Sequence, residues 1–391
     1  MNNPPLSILI ELYHAGSESK TIFGGIFMRT KIFYVILLIT FLFSAWVHFS
    51  NPPFVPSLVS FSVLCVAIVF SAGLLGQATE SVAHYAGERL GGFLNATFGN
   101  AAELIIAIFL VKEGLFDLVK ASITGSIIGN MLLVLGLSVF VGGIKHRVQY
   151  FNVNLASHNS SLMMLALLAL FIPTSLASRF EEDGIGRFSM IIAVALIIAY
   201  ILWLVFSMIT HRTHFTTEHP SNPAILVEGE QLKDEQAEWG KWTSIAILSG
   251  ATVLIAFLSE WFVHTIEPVA HELGLSDLFV GAIVIAIIGN AAEHSAAVLM
   301  AWKNRIGASV EISIGSSLQI ALFVAPILVL VSFFMGKPMD MVFSMPELIA
   351  IAVSVFIAKS ISQDGETNWF EGALLLLVYI ILSCAFFWIK A

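Results

Sequence analysis

One five-residue segment, GNAAE, occurs twice in this sequence and contains the polar groups best suited to chemistry. The two copies lie 190 positions apart, each within a run of apolar residues. Asn100 and Glu103 are three residues apart, as are Asn290 and Glu293, so on a helix each amide and carboxylate share one face. A carboxylate at the centre of a membrane-spanning helix costs roughly 2.5–3.5 kcal/mol on insertion scales. Two of them in equivalent segments indicate an ion site.

Hydroxyl and amide side chains recur in the apolar run that follows each copy. Such residues often join membrane helices without binding anything, but here their oxygen atoms accompany two carboxylates. An oxygen-rich set without cysteine favours a hard cation such as Ca²⁺ over zinc or copper. The predicted metal ligands are Glu103, Glu293, Asn100, Asn290, Asn130, Gln319, Ser126 and Ser316.

Three further titratable residues have two readings each. Glu80 and Glu260 close the second and seventh apolar runs, either as solvated helix ends or as part of an ion pathway. His294 follows Glu293 but points about 100° away around a helix. We expect it to pack or to bond to a neighbouring helix rather than to bind the cation.

The elements that position these residues are predicted to be membrane helices. Hydrophobic residues make up 58% of the 391 residues and charged residues 12%, whereas a soluble domain carries about 25% charged residues. Runs this long and continuously apolar predict helices rather than barrel strands. Eleven spans are predicted, near 31–49, 55–78, 92–111, 116–141, 158–177, 188–209, 243–263, 277–301, 308–333, 343–361 and 370–389.

The two copies of GNAAE belong to a longer repeat. Residues 95–141 align without a gap on residues 285–331. The first copy starts on the third span and the second on the eighth, so an odd number of spans separates them and they cross the membrane in opposite directions. Inverted repeats of this kind are typical of secondary transporters, which bind substrate where the repeats meet.

The predicted fold is therefore an all-α integral membrane protein, in which one extra N-terminal helix precedes two inverted five-helix repeats. The polar stretch between the repeats is either a solvated linker or an acidic segment that collects cations. The predicted boundaries are 1–30 for a disordered N-terminal extension, 31–53 for the extra helix, 54–210 for the first repeat, 211–242 for an acidic cytoplasmic linker and 243–391 for the second repeat.

Charge sets the predicted orientation and excludes some partners. Of the 18 Lys and Arg residues, 12 fall on the side of the N-terminus and 6 on the other, which predicts a cytoplasmic N-terminus and an external C-terminus in the cell membrane (plasma or inner). The net charge of −9 and the lack of a basic run argue against nucleic acid. Soluble-enzyme motifs and a hydrolytic nucleophile are absent from the sequence, and no cofactor is expected. Homo-oligomerisation is left open.

The sequence resembles the calcium/proton exchanger (CAX) family of the calcium/cation antiporter superfamily. The resemblance covers 33–389 and is carried by GGFLNATFGNAAELIIAIFLVKEG with TGSIIGNMLLVLG, and by IGNAAEHSAAVLMAWK with IGSSLQIALFVAPILVL. Sodium/calcium exchangers carry related segments resembling GSSAPE and GTSVPD. Asn100 and Asn290 stand where those have hydroxyls, and Glu293 stands where they usually have aspartate, which favours protons over sodium as the coupling ion.

The resemblance implies a sodium/calcium exchanger-like fold and an antiporter that exports Ca²⁺ from the cytoplasm in exchange for protons by alternating access. It implies that Glu103 and Glu293 are the central cation-binding and proton-accepting carboxylates. The alternatives are a sodium-coupled calcium exchanger and a passive cation channel, against which the paired repeat argues.

Overall fold

The computed structural model describes residues 31–181, 184–210 and 237–389. The predicted N-terminal extension and most of the predicted linker, residues 211–236, lie outside the described residues. Within them the chain forms thirteen longer helices, one 3-10 turn (Ala177–Arg179) and two short strands.

The first half of the chain holds seven of these helices. They are α1 (Lys31–Ser50), α2 (Ser57–Ala86), α3 (Glu88–Phe98), α4 (Ala101–Glu113), α5 (Phe116–His146), α6 (Val153–Leu176) and α7 (Gly184–Val205), with β1 (Val148–Tyr150) between α5 and α6. The second half holds α8 (Lys241–Leu273), α9 (Asp277–Gly289), α10 (Ala291–Trp302), α11 (Ile306–Phe334), α12 (Met345–Ile361) and α13 (Trp369–Trp388), with β2 (Glu366–Asn368) before α13.

Eight of the described helices are long and apolar enough to cross a membrane, and α9 with α10 makes a ninth, bent span. The predicted third span is divided into α3 and α4, and the predicted tenth, α12, has 17 residues. An integral membrane protein is therefore observed, and the count of eleven spans stays a prediction.

Local sequence explains where the helices end. Gly114 and Gly274 adopt the left-handed conformation (φ 84° and 65°) that glycine allows without strain, and they end α4 and α8. Inside α5 and α11 the helix widens into one π-helical stretch each, at Gly129–Val134 and Ile320–Val324. Such bulges are frequent at functional sites.

Burial separates the central helices from the peripheral ones. In α5 and α11, 72% and 61% of the apolar window is buried, against 22% in α7 and in α13. Because lipid is as apolar as the side chains, the exposed leucines and isoleucines of the outer helices need no covering partner. The two helices that follow the GNAAE segments thus form the centre of the protein.

A short β-pair joins the two halves outside the helices. β1 and β2 are antiparallel, with Val148 opposite Asn368 and Tyr150 opposite Glu366. The prediction of an all-α chain missed this pair, because three-residue strands in loops leave no periodic signal. It ties the loop after α5 to the loop before α13.

Candidate cation site

Two helix breaks position the carboxylates. The chain leaves helical geometry at Asn100 (φ −93°, ψ 14°), between α3 and α4, and at Asn290 (φ −106°, ψ 10°), between α9 and α10. The axes of α9 and α10 differ by 63°. Each break puts a glutamate, Glu103 or Glu293, in the first turn of the next helix, where unpaired N–H groups and the helix dipole favour negative charge.

Glu103 is held by residues from both halves of the chain. Ser126 of α5 donates to Glu103 Oε1, and Asn290 Nδ2 donates to Ser126 Oγ at 2.9 Å. Gly289 lies against the same glutamate, since a Cβ there would stand 3.4 Å from Glu103 Cβ. The second-half segment therefore forms one wall around the first-half carboxylate.

Glu293 is surrounded by the corresponding residues, each 190 positions from its counterpart. Ser316 of α11 donates to Glu293 Oε2 at 2.6 Å, and Ser316 Oγ lies 3.0 Å from Asn100 Oδ1. A Cβ at Gly99 would stand 2.9 Å from Glu293 Oε1. The same residue pairs are joined as around Glu103, except that Asn100 presents its oxygen to the serine, whereas Asn290 presents its amide nitrogen.

The two predicted amides of the later helices complete the cluster. Asn100 Nδ2 donates to Gln319 Oε1 at 2.7 Å, and Asn130 Nδ2 donates to Ser316 Oγ at 3.1 Å. The structure thus brings all eight predicted ligand residues into two adjoining hydrogen-bonded groups. His294 Nε2 lies 3.2 Å from Asn130 Oδ1, so the expectation that His294 bonds to a neighbouring helix is confirmed.

Two oxygen atoms of this cluster have no hydrogen-bond partner among the described residues. They are Glu103 Oε2 and Asn290 Oδ1, both buried. A buried oxygen left without a partner costs roughly 1–3 kcal/mol, and more when it is charged. A proton on the carboxylate, or a cation between the two atoms, removes that cost.

Exposure differs between the two carboxylates. Glu103 is 2% exposed, and Ala101 and Ala102 beside it are buried. Glu293 and the corresponding alanines are only partly buried, and Gly99 next to Glu293 is exposed. Glu103 is therefore enclosed by the described residues, whereas Glu293 keeps part of its surface uncovered.

Close helix packing accounts for the seal. At Gly125 of α5 a Cβ would stand 2.0 Å from the backbone oxygen of Ala282 in α9, and at Gly281 it would stand 2.5 Å from the Cβ of Ala121. Only glycine allows these backbones to meet. At Gly315, the counterpart of Gly125, an added Cβ would meet no heavy atom of the described residues within 4 Å beyond its own helix turn.

The two predicted pathway residues do not lie at helix ends, which corrects one expectation. α2 continues past Glu80 to Ala86, and α8 continues past Glu260 to Leu273. The apolar runs end at these glutamates, but the helices continue because their next turns still pack; Phe262 and Ile266, for example, are buried. Glu80 is exposed. Their role in a pathway stays a prediction.

Sequence reasoning missed three lysines that contact the site helices. Lys112, in the last turn of α4, pairs with Glu260 at 2.9 Å, and its backbone oxygen accepts from Lys337 Nζ. The backbone oxygen of Trp302, at the end of α10, accepts from Lys145 Nζ at 3.0 Å. Basic residues near helix C-termini are a known favourable pattern, and Lys112 fits it within its own helix. Lys145 and Lys337 come from distant parts of the chain, where sequence gives no signal.

Comparison with known proteins identifies relatives along most of the chain. The Ca²⁺/H⁺ antiporter ChaA of Bacillus subtilis (strain 168) is 46% identical over 337 residues, which are 85% of this chain and 93% of the relative. The Ca²⁺/H⁺ antiporter of Aphanothece halophytica is 41% identical over 367 residues, 92% of this chain and 97% of the relative.

A solved structure is similar throughout. The crystal structure of the selenium-substituted Ca²⁺/H⁺ antiporter protein YfkE matches with a TM-score of 0.78 and 41% identity, covering 92% of this chain and 100% of that one. The sequence profile described as sodium/calcium exchanger protein matches residues 56–209 and 243–388. This chain therefore belongs to the sodium/calcium exchanger protein family.

Proposed function

We propose that this protein is a secondary antiporter that exports Ca²⁺ from the cytoplasm in exchange for protons. The observation that carries the proposal is the pair of carboxylates, Glu103 and Glu293, each bonded through a serine to an asparagine of the other half. Relatives named as Ca²⁺/H⁺ antiporters match over most of their length. The protein is a transporter rather than an enzyme.

The ligand set consists of the two glutamates with Asn100, Asn290, Asn130, Gln319, Ser126 and Ser316. Carboxylate, amide and hydroxyl oxygens are what Ca²⁺ prefers, and it tolerates irregular geometry with 6–8 of them. The two buried oxygen atoms without a partner, on Glu103 and Asn290, support a cation position between α4 and α9. Ca²⁺ is the transported substrate here.

Charge makes the exchange obligatory. One Ca²⁺ between two ionised glutamates and two protons on the same glutamates leave the same net charge in the site. The empty, doubly ionised site is too costly to move through the hydrocarbon region. Only the two loaded forms pass between the open states, so at least two protons are exchanged per Ca²⁺.

The topology completes the proposal. Helix α1 is an extra helix before two inverted five-helix repeats, within 54–210 and 243–391, giving eleven spans with α3 and α4 together as one. The N-terminus and the acidic linker at 211–242 are cytoplasmic, the C-terminus is external, and the membrane is the cell membrane. The corresponding breaks at Asn100 and Asn290 support the repeat, since such discontinuous helices build transporter sites.

Uptake of Ca²⁺ into everted vesicles tests the function. We expect Ca²⁺ uptake to be driven by a proton gradient with the vesicle lumen acidic. Uptake should stop when an uncoupler collapses this gradient and should persist without sodium. Ca²⁺ uptake driven by a sodium gradient after proton uncoupling would establish the sodium-coupled alternative. The family description names sodium/calcium exchange, so this alternative must be measured. Uptake that follows the Ca²⁺ gradient alone would establish a channel.

Two variants test the site in the same vesicles. We expect Glu103→Gln and Glu293→Gln each to lower exchange at least about a hundredfold, because each removes one charge of a buried set. Glu366→Gln is the matched control, since Glu366 is exposed on β2. Normal exchange by either site variant would remove its carboxylate from the mechanism.

A further inference from the structure

The hydroxyl group of Ser316 has three polar neighbours but only one proton to donate. Its Oγ lies 2.6 Å from Glu293 Oε2 and 3.0 Å from Asn100 Oδ1, both of which are acceptors. It also lies 3.1 Å from the side-chain amide of Asn130. A serine has one proton to donate and two lone pairs that accept. If Asn130 also presented its oxygen, Ser316 would face three acceptors and could donate to only one of them.

The amide of Asn130 must therefore point its nitrogen at Ser316. The two ends of an asparagine amide have nearly the same shape, so hydrogen-bond partners decide its orientation. With Nδ2 donating to Ser316, Oδ1 of Asn130 faces His294 Nε2 at 3.2 Å. Since that oxygen only accepts, Nε2 of His294 donates. Ser316 and His294 thus face opposite ends of the same amide.

The first half of the site has no such arrangement among the described residues. Leu104 follows Glu103 where His294 follows Glu293, and Ile320 stands 190 positions after Asn130. Ser126 donates to Glu103 and accepts from Asn290, so its hydrogen bonds are satisfied without a third partner. The need for an orienting residue arises in the second half alone, where the serine also faces Asn100 Oδ1.

We infer that His294 is a positioning residue for the cation site: it orients Asn130 so that Asn130 donates to Ser316, and Ser316 donates to Glu293. Asn130 then acts on the cation through Ser316 while its own oxygen is bonded to His294. This inference rests on the proposed function and revises one part of it: Asn130 supports the site through Ser316 instead of binding the cation directly, while Gln319, bonded to Asn100, stays among the ligands.

A double-mutant cycle tests the inference, measured as the Km and kcat for Ca²⁺ in vesicles. We expect His294→Leu, which installs the residue type of the first half, to raise Km about tenfold with kcat changed less than threefold, the size expected for losing one orienting hydrogen bond near a charge. On an Asn130→Ala background the same change should alter Km less than twofold, because the residue through which it acts is gone.

Conservative and control variants separate positioning from general stability. His294→Gln keeps a donor near the place of Nε2 and should restore Km to within about threefold. Ser295→Ala is the matched control, since Ser295 is exposed and bonds only to Ala291 of its own helix among the described residues. An unchanged Km in His294→Leu, additive effects in the cycle, or failure of His294→Gln to restore Km would each overturn the inference.

Equilibrium binding of Ca²⁺ alone to the purified protein keeps the two proposals apart. If wild-type vesicles show no proton coupling, the proposed function fails. The double-mutant cycle, measured as the Kd of Ca²⁺ for the His294→Leu and Asn130→Ala variants, still decides whether His294 acts through Asn130. If wild-type exchange is normal and the cycle is additive, the inference fails by itself.

Discussion

The two carboxylates share one set of neighbours but not one environment. Glu103, with Gly289 beside it, is sealed, because α5 and α9 meet backbone to backbone at Gly125 and Ala282. Glu293, with Gly99 beside it, is partly exposed, and at the buried Gly315 an added Cβ would meet no atom of the described residues within 4 Å beyond its own helix turn. The same types of residue surround both glutamates, but the helices around them are packed differently. The exposed fraction of each glutamate is therefore set by how tightly the helices cross, not by the ligand residues.

Under the proposed function, this difference is what alternating access would require of two inverted repeats. In the proposed topology the crossing of α5 with α9 lies toward the outside, and the corresponding position of α11, at Gly315, lies toward the cytoplasm. An added Cβ would clash with backbone at Gly125 and would not at Gly315. Exchanging the two packings between the halves would seal Glu293 and expose Glu103 with little change in the ligands themselves.

The largest expected effect comes from filling the two crossings. Gly125→Ala puts a methyl group 2.0 Å from the position of a backbone oxygen, so the helices must separate, at a cost of about 3 kcal/mol or more. We expect little folded protein, measured by the melting temperature and by the monodisperse fraction in detergent.

Gly315→Ala is the matched variant. It should keep the wild-type melting temperature within a few degrees, yet lower exchange about tenfold or more, because α11 must close as tightly as α5 does now. Gly76→Ala is a control with open space in α2. Equal losses of stability at Gly125 and Gly315 would contradict the asymmetry of the two crossings.

The ligand set could be predicted from sequence because its signals are local. Polar residues in apolar helices at matching offsets name Glu103, Asn100, Ser126 and their counterparts without any coordinates. The breaks at Asn100 and Asn290 could not be predicted, since the apolar run continues through both. The ends of α2 and α8 were placed too early, because a helix extends beyond the apolar run where its next turns pack.

The asymmetry also lies beyond sequence reading. Two copies of GNAAE are identical, so no local signal tells which of Glu103 and Glu293 is sealed. That depends on which pair of crossings is closed in a given conformation. Contacts such as His294 with Asn130 need the relative positions of two helices that are far apart in the chain, and the sequence predicts only that His294 packs or bonds to a neighbouring helix.

Thiol labelling measures the asymmetry directly. In a background of Cys65→Ala and Cys384→Ala, we expect Ala292→Cys to react with a membrane-impermeant thiol reagent at least about tenfold faster than Ala102→Cys, since Ala102 is 2% exposed and Ala292 is partly exposed. In everted vesicles the reagent reaches Ala292→Cys from the cytoplasmic side. Labelling of both positions at the same rate would mean that the two carboxylates are equally accessible.

The smallest expected effect concerns the far ends of the two site helices, each held by a lysine from the other half. The backbone oxygen of Trp302, at the end of α10, accepts from Lys145 Nζ and lies 3.0 Å from His146 Nε2. The centre of the Trp302 ring lies 4.3 Å from Lys145 Nζ. At the end of α4, Lys337 donates to the oxygen of Lys112. Such exposed contacts contribute about 0.3–1 kcal/mol each.

We therefore expect Lys337→Met to lower the initial rate of exchange about fivefold and Lys145→Met about twofold, because His146 shares the second contact. The double variant Lys145→Met with His146→Ala should fall to the level of Lys337→Met. These rates are to be compared at equal amounts of protein in the same vesicles. A loss of exchange in Lys145→Met as large as that in the double variant would show that His146 contributes nothing. The two helix ends would then be held alike, although the carboxylates at the other ends of these helices are not equally buried.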